Sequence, residues 1–314
     1  MYRPSSPPLN ARVAVVTGAT SGIGKEVARG LAAQGFTTVV VGRGADRAAG
    51  TAKELAAATG NSRVESVAVQ DLSVKAEMKA LAATLLERYP TIHVLVNNAG
   101  AYISRRQETA DGLERTFALN VLAPFSLTSL LADRMRVSAP ARVVQVSSAA
   151  HLGNTVDFAD LQSAGSYDGF RTYGRSKLEL ILLTREFARR LAGTGVVVNA
   201  VHPGFIRSGF GDNNPGGAGF GVKIAKFLFA RSLRYGTRNV LYVATDPATG
   251  SVSGEYFSRR RVARASPASY DMESARRLFE VCRDLAGTPE LPEPAAPEPS
   301  SAAPMGTRTA AAAG

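Results

Sequence analysis

The chain has 314 residues, of which 45% are hydrophobic and 20% are charged, a balance typical of a globular protein with a large core. The chain contains no run of about 18 apolar residues, so it is not expected to span a membrane. The first residues lack the apolar segment of a secretory signal, and the single cysteine, Cys282, cannot form an internal disulfide. These features predict a cytoplasmic protein that has no membrane partner.

The formal net charge is +11, from 37 Lys and Arg residues against 26 Asp and Glu residues. Such a balance can indicate binding to nucleic acid, to an acidic membrane surface or to an anionic ligand. Apart from the three arginines at 259–261, however, the basic residues are scattered, and no nucleic-acid recognition motif accompanies them. We therefore expect no nucleic-acid partner, and strong salt-dependent binding to duplex DNA would contradict this expectation.

Composition divides the chain into three parts. Residues 1–10 are rich in Pro and Ser, and residues 288–314 are rich in Pro and Ala. Both segments have too few large apolar residues to bury, so they are predicted to be disordered tails. Residues 11–287 contain no internal repeat and no linker, and they are predicted to form one domain.

Within this domain, short apolar runs rich in β-branched residues alternate with longer segments of helical period. Strands that are buried on both faces read as continuous apolar runs, and strand–helix alternation implies right-handed βαβ units. The predicted fold class is therefore α/β, a single Rossmann-type doubly wound parallel sheet with helices on both faces and ligands at the carboxyl ends of the strands. In chain order, the predicted strands are 13–16, 38–41, 64–69, 92–96, 143–146 and 196–201, and the predicted helices are 24–33, 47–58, 76–88, 113–135 and 173–191.

The first predicted strand runs directly into a glycine-rich segment, residues 17–24, which opens the first predicted helix. Glycines permit a tight turn and a close approach of the backbone to a pyrophosphate, which the helix N-terminus stabilises. The position between a strand and a helix favours a dinucleotide site over a structural turn. The residues predicted to bind the cofactor here are Gly18, Thr20, Ser21, Gly22, Ile23 and Gly24.

The end of the second predicted strand indicates which dinucleotide is bound. An Asp or Glu about 20 residues after the glycines would bind the ribose 2′-hydroxyl of NAD. This chain has Arg43 there, and a guanidinium suits the 2′-phosphate of NADP. Arg47 could assist, while Asp46 lies close enough to compete. A solvated Arg at a helix start is the alternative, but the position predicts NADP (NADPH) as cofactor.

Polar residues also follow the third and fourth predicted strands. Asp71 and Leu72 come after one, and Asn98, Ala99 and Gly100 after the other. At the carboxyl ends of strands, such side chains can hydrogen-bond the adenine and hold the turn. For Asp71, a role as a cap of the helix near residue 74 is equally open.

Three further residues have the chemistry of proton transfer. Ser148 follows the fifth strand, and Tyr173 and Lys177 are four residues apart, so they share one helix face. A phenol has a pKa near 10, and a nearby ammonium stabilises the phenolate and lowers that pKa. Lowering it by about three units requires about 4 kcal/mol, which the Lys and a positive nicotinamide ring could supply in a dry cleft.

Together, the glycine pattern, Asn98–Gly100, Asn120, Ser148, Tyr173-x-x-x-Lys177 and the His-Pro-Gly at 202–204 resemble the short-chain dehydrogenase/reductase family, in its order and over residues 11–287. Residues 141–148, 172–201, 241–247 and 254–257 look most like its retinol-dehydrogenase-like branch. The resemblance implies an oxidoreductase that transfers a hydride between NADP and an alcohol or carbonyl substrate. It also implies possible pairing into a homo-oligomer through the two long helices around Asn120 and Tyr173.

The resemblance also implies a role for each residue. Tyr173 would be the general acid/base, Ser148 would hydrogen-bond the reacting oxygen, and Lys177 would bind the nicotinamide ribose and tune Tyr173. Asn120 would hold a water that links Lys177 to solvent; a mid-helix residue with a local hydrogen bond is the alternative. The remaining residues expected to contact the cofactor are Pro203, Gly204, Ile206 and Ser208.

Two further expectations concern the substrate and alternative functions. Residues 205–230 pass from a Gly-rich stretch into an apolar one, which predicts a lid and a bulky, apolar substrate, although simple packing on the core is as good an interpretation. His151 and His202 are not expected to be catalytic, and no residue spacing predicts a metal site. The alternative function is a non-catalytic, nucleotide-sensing regulatory protein on the same fold.

Overall fold

An eight-stranded sheet forms the centre of the computed structural model, which describes residues 12–204 and 233–291. The strand order is β3-β2-β1-β4-β5-β6-β7-β8, with all neighbours parallel except β7 and β8. The order reverses between β1 and β4, which is where doubly wound sheets bind their ligands. The strands are β1 (Val13–Thr17), β2 (Thr37–Arg43), β3 (Val64–Val69), β4 (Val94–Asn97), β5 (Ala141–Val146), β6 (Val196–His202), β7 (Tyr256–Ser258) and β8 (Arg261–Val262).

Helices cover both faces of this sheet, which confirms the predicted fold class. Their bounds in the described residues are α1 (Gly22–Ala33), α2 (Ala45–Thr59), α3 (Lys75–Arg88), α4 (Arg115–Phe117), α5 (Ala123–Val137), α6 (Gly169–Arg190), α7 (Leu233–Thr245) and α8 (Met272–Ala286). One core layer lies between the sheet and α3, α5 and α6 and continues to α8, which packs on α5 and α6; the other lies between the sheet and α1, α2 and α7. Successive side chains of a strand point to opposite faces of the sheet and so belong to different core layers. Val15 belongs to the first layer and Val16 to the second, and both are fully buried.

The predicted helix 113–135 is distorted but not broken in the structure. A π-helical turn, Ala118–Leu122, separates α4 from α5. By length and composition, the continuous helical stretch Arg115–Val137 could cross a membrane, but 83% of its most apolar window is buried inside the domain, as in the core helix of a globular protein. The predicted cytoplasmic location is not tested by this observation and stays a prediction.

The helix that carries Tyr173 begins one turn earlier than predicted. It starts at Gly169, because the side chain of Asp168 caps it by accepting a hydrogen bond from the backbone N–H of Arg171 at 2.7 Å. Tyr173 and Lys177 therefore lie in the second and third turns, where the helix is firmly packed, rather than at a frayed end.

Parts of the predicted organisation lie outside the described residues. These are the first tail (1–10), the lid (205–230) with Ile206 and Ser208, and most of the second tail. Near the boundary predicted at 287/288, the chain continues to Leu291, which is 5% exposed and packs in the core, and its carbonyl accepts a hydrogen bond from Arg190 at 3.0 Å. The domain boundaries themselves stay predictions.

The face of α6 toward α8 contains a buried carboxylate, Glu179, which is 1% exposed. Burial raises the pKa of Glu179 to about 7, and Arg175, whose Nε lies 3.5 Å from Oε1, only partly opposes this effect. The folded protein therefore binds this proton more tightly than the unfolded chain does. Its contribution to stability is full below the unfolded pKa of 4.5 and is lost as the pH rises through about 7.

We expect Glu179→Gln to raise the melting temperature at pH 8 by several degrees and to change it little at pH 5. A pKa change of this size corresponds to on the order of 3 kcal/mol for a buried group, and the amide removes the charge that has to be buried. Thermal unfolding followed by circular dichroism at both pH values measures the effect. The matched control is Glu87→Gln on exposed α3 surface, and equal shifts in both variants would contradict the interpretation.

Candidate active site at the carboxyl edge of the sheet

A cleft of about 1190 Å³ opens at the carboxyl ends of the parallel strands. It brings together most of the predicted site residues, from the glycine-rich segment at one end to Tyr173 at the other. Of the described residues that were predicted, Gly24 and Asn120 do not line it. Those that do are Gly18, Thr20, Ser21, Gly22, Ile23, Arg43, Asp71, Leu72, Asn98, Ala99, Gly100, Ser148, Tyr173, Lys177, Pro203 and Gly204.

The glycine-rich segment presents the N-terminus of α1 to the cleft. Gly18 and Gly22 have φ angles of 64° and 57°, which favour glycine. Ser21 is the N-cap residue, yet its side chain makes no capping hydrogen bond, and the first turn of α1 contains no acidic residue. Uncapped N–H groups with the positive end of the helix dipole suit a pyrophosphate, so the donors present here fit a dinucleotide.

Asn98 and Gly24 hold the glycine-rich segment in position. Asn98 Nδ2 donates hydrogen bonds to the carbonyls of Thr17 at 2.9 Å and Gly18 at 3.3 Å. A Cβ at Gly24 would lie 2.4 Å from Asn98 Nδ2 and 2.4 Å from the Gly18 oxygen. Gly24 was predicted as a cofactor contact, but the structure makes it a packing position, because its missing side chain lets α1 approach the loop.

Asp71 uses both carboxylate oxygens within the protein. Oδ1 accepts hydrogen bonds from the backbone and hydroxyl of Ser73 at 2.9 and 2.6 Å, and Oδ2 forms an ion pair with Arg115 at 2.6 Å. The alternative role as a helix cap belongs instead to Asp111, which accepts a hydrogen bond from the N–H of Lys75 at the start of α3. Asp71 therefore holds its turn while lining the cleft.

Two arginines stand beside the glycine-rich segment. Arg43 ends β2, Arg47 lies in the first turn of α2, and both line the cleft and are exposed. Asp46 is in the same turn but is not among the described residues of the cleft wall. The charge next to this part of the cleft is therefore positive, as a phosphate requires.

The two adjacent serines after β5 both border the cleft, but their hydroxyls have different partners. Ser147 is 2% exposed, and its hydroxyl donates a hydrogen bond to the Lys177 carbonyl at 2.9 Å, so it fastens β5 to α6. Ser148 caps a short 3₁₀ turn, lines the cleft and shares a hydrogen bond with the Tyr173 hydroxyl. The two hydroxyls can therefore bind one substrate oxygen together.

Tyr173 and Lys177 are both buried, at 9% and 5% exposed. Lys177 Nζ lies 5.5 Å from the centre of the Tyr173 ring and donates a hydrogen bond to the Val146 carbonyl at 3.2 Å. Burial lowers the pKa of Lys177 to about 8 and raises that of Tyr173 above its usual value, although the hydrogen bond from Ser148 opposes the rise. For the protein alone, burial therefore sets the direction of the Tyr173 pKa shift, and the predicted lowering by the ammonium together with a nicotinamide ring stays a prediction.

Asn120 lies behind the cleft wall, in the π-helical turn, a distortion that often marks functional sites. Its Oδ1 accepts a hydrogen bond from the Ala101 N–H at 2.9 Å, and its Nδ2 donates to the Ala101 carbonyl at 3.0 Å and to Ser176 Oγ at 3.1 Å. A Cβ at Gly100 would lie 3.0 Å from Asn120 Oδ1 and 3.3 Å from Lys177 Nζ. Asn120 therefore fixes the segment next to Lys177, and Gly100 leaves room for both groups.

The two histidines next to the site hold the Ser148 turn. His151 Nδ1 bonds to the Ser148 carbonyl at 2.7 Å while Nε2 accepts the N–H of Ser266 at 3.1 Å, and His202 Nδ1 accepts the N–H of Ala149 at 3.2 Å. Burial lowers the pKa of both, that of His202 to about 4, so both stay neutral and can accept. They are positioning groups.

The far end of the cleft contains apolar residues that sequence reasoning missed. Leu152 and Phe170 are 57% and 65% exposed at its rim, and Tyr102, Ile103 and Leu119 complete this wall. These residues come from loops and helix ends that are distant in sequence, so no local pattern indicates that they meet. We call the five residues the apolar rim.

Comparisons with known proteins agree with this geometry. The family model for short chain dehydrogenase matches residues 12–216. Human retinol dehydrogenase 12 is 38% identical over 288 residues, which cover 89% of this chain and 87% of that protein.

Two solved structures are similar in fold. An uncharacterized protein from Mycobacterium paratuberculosis has a TM-score of 0.71 at 28% identity, covering 92% of this chain and 97% of its own. The NADP active-site complex of Pseudomonas aeruginosa RhlG has a TM-score of 0.62 at 28% identity, covering 80% and 96%. The chain therefore belongs to the short-chain dehydrogenase family of oxidoreductases, in which it is retinol-dehydrogenase-like.

Proposed function

We propose that this protein is an NADP-dependent oxidoreductase that interconverts an alcohol and a carbonyl, with Tyr173 as general acid/base. The observation that carries the proposal is the hydrogen bond between Ser148 and Tyr173, next to buried Lys177, in the cleft that also contains the N-terminus of α1. A non-catalytic nucleotide sensor has no need for this buried proton-transfer set. When bound, the nicotinamide nucleotide supplies or accepts the hydride.

In the direction of reduction, the chain has to deliver a proton to the carbonyl oxygen. Burial keeps Tyr173 protonated at neutral pH, which is the form that can donate. Ser148 holds the same oxygen and stabilises the charge that develops on it. Lys177 binds the nicotinamide ribose and, with its positive charge, limits the cost of forming the phenolate. Asn120 keeps the segment beside Lys177 in place.

The preference for NADP rests on charge at the adenosine end of the cleft. Arg43 and Arg47 line this end, and a guanidinium can make charge-assisted hydrogen bonds to a 2′-phosphate. The NADP complex of the related RhlG supports the proposal by showing this cofactor on a similar fold. No carboxylate ends β2, where one would select the 2′-hydroxyl of NAD.

The experiment that tests the function is a screen of NADPH oxidation against aldehydes and ketones of varied size and polarity. We expect turnover of at least one class of carbonyl, with NADH supporting slower reduction at equal concentration. Binding of NADPH without turnover of any carbonyl, and without oxidation of the corresponding alcohols by NADP, would instead support the nucleotide-sensing alternative.

The apolar rim predicts which carbonyls react best. We expect Phe170→Ser to raise KM about tenfold for bulky apolar ketones and to change KM little for small ones, because contact with an exposed Phe contributes about 1.4 kcal/mol or more when covered. Steady-state kinetics across the panel measures this. Val137→Ser, at a residue 77% exposed and away from the cleft, is the matched control. Faster turnover of small polar carbonyls by the wild type would contradict the substrate class.

A further inference from the structure

Helix α6 is buried on more sides than a helix packed on a sheet normally is. Sixteen of its 22 residues are buried, whereas a helix that covers one face of a sheet usually exposes the opposite side to solvent. The outer surface of α5 and α6 is apolar where Phe125 and Phe187 meet, with ring centres 5.3 Å apart. Such a surface needs a cover, and in this chain α8 supplies it.

Helix α8 inserts an aromatic ring between the two long helices. The Phe279 ring centre lies 4.9 Å from that of Phe125 and 5.0 Å from that of Phe187, and both pairs have an edge-on geometry that stabilises aromatic contacts. Leu278 and Cys282 of the same helix are fully buried in this core layer. The three-ring cluster therefore depends on α8.

A buried cation fastens the C-terminal segment. The side chain of Arg190 is 3% exposed and bonds to Glu186 within α6 at 2.8 Å. It also bonds to Glu280 of α8 at 2.7 Å and to the Leu291 carbonyl at 3.0 Å, and its guanidinium lies 4.1 Å from the Phe279 ring centre. Because a buried charge is costly without partners, Arg190 strongly favours the docked position of α8.

We propose that α8 is an intramolecular substitute for a second subunit. It occupies the face of α5 and α6 through which the family resemblance predicts pairing, so a second copy of the chain cannot bind there. The full chain is a monomer, and self-association through this face requires α8 to undock. The proposal does not depend on the proposed function, since it rests on the packing and charge of α8 and on the pairing face that the family resemblance predicts.

The single cysteine of the chain makes undocking measurable. Cys282 lies on α8 and is fully buried in the core, so its reaction with Ellman's reagent reports the separation of α8 from α6. We expect light scattering to give a mass near 32.9 kDa for the wild type, and the thiol to react at least about 100-fold more slowly than in denaturant. A wild-type mass twice as large would overturn the proposal.

Glu280→Arg tests whether the ion pair with Arg190 keeps α8 docked, because it sets a second guanidinium against Arg190. We expect the thiol to react about tenfold faster or more, and a dimer to form as the concentration rises. Asp284→Arg is the matched control, since it makes the same charge change on the same helix at a side chain that is 70% exposed. Faster labelling without any dimer would overturn the proposal, because the uncovered face would then not bind a second copy.

If Glu280→Arg leaves labelling unchanged, Phe279→Asp provides the second perturbation, with circular dichroism to confirm that the domain stays folded. The Phe279 ring lies between those of Phe125 and Phe187, and a carboxylate in its place would be a charge buried among apolar rings, which is costly. We expect exposure of Cys282 and self-association. A thiol that stays protected in both folded variants would also overturn the proposal, since the contacts that define it would not hold α8.

Discussion

Replacing Tyr173 by Phe is expected to lower kcat for carbonyl reduction by about 10²–10⁴-fold, while the fold and NADPH binding persist. The ring remains, with its edge-on contact to Tyr102 at 6.3 Å between centres, but the hydroxyl that donates the proton and bonds to Ser148 is lost. Steady-state turnover measured beside NADPH titration separates the two effects. Retention of more than about a tenth of the wild-type kcat, with chemistry rate-limiting, is incompatible with the mechanism.

Three further variants test the other two site residues and provide a control. Ser148→Ala should also lower kcat severely, because the reacting oxygen loses a hydrogen bond. Lys177→Met should weaken both turnover and cofactor affinity, since one ammonium serves both. Tyr242→Phe, on α7 and outside the cleft, is the matched control and should change neither.

The second large effect is expected at the adenosine end. Arg43→Ala should weaken NADPH binding roughly 10- to 100-fold and leave NADH binding nearly unchanged, because a charged hydrogen bond contributes about 1.5–3 kcal/mol and only NADPH has the 2′-phosphate. Titration of each variant with both cofactors measures the difference. Arg63→Ala, an exposed Arg outside the cleft, is the control. Equal affinity of the wild type for NADPH and NADH would show that Arg43 does not select the cofactor.

The sheet was predictable because its strands are buried on both faces. Each of the six predicted strands overlaps an observed one, since a run such as Val13–Thr17 can satisfy its side chains only inside a parallel sheet. The strands β7 and β8 were not predicted, because they contain only three and two residues; β7 pairs with β6 and β8 with β7 at the edge of the sheet. Helix α8 is followed in the sequence by a Pro/Ala-rich segment rather than by an apolar β-branched run, so the strand–helix alternation does not identify it.

Within the site, the spacing of residues along the sequence determined which of them could come close together. It did not determine their contacts or their pKa values. The spacing of Tyr173 and Lys177 places both on one face of α6, and the position of Ser148 at a strand end places it at the same edge. The sequence could not indicate that the Lys177 ammonium lies over the ring, or that burial raises the pKa of Tyr173. Both depend on solvent exclusion by surrounding elements.

The sequence by itself therefore determined the fold class, the ends of the strands that carry the site and the family, because these follow from local periodicity and from motifs in a defined order. Only the tertiary structure decided the partners of Asp71 and Asn98, the apolar rim and the position of α8 over α5 and α6. These depend on contacts between residues far apart in sequence. Pairs such as Phe125 and Phe279 have no local signal, since their contact is created by packing alone.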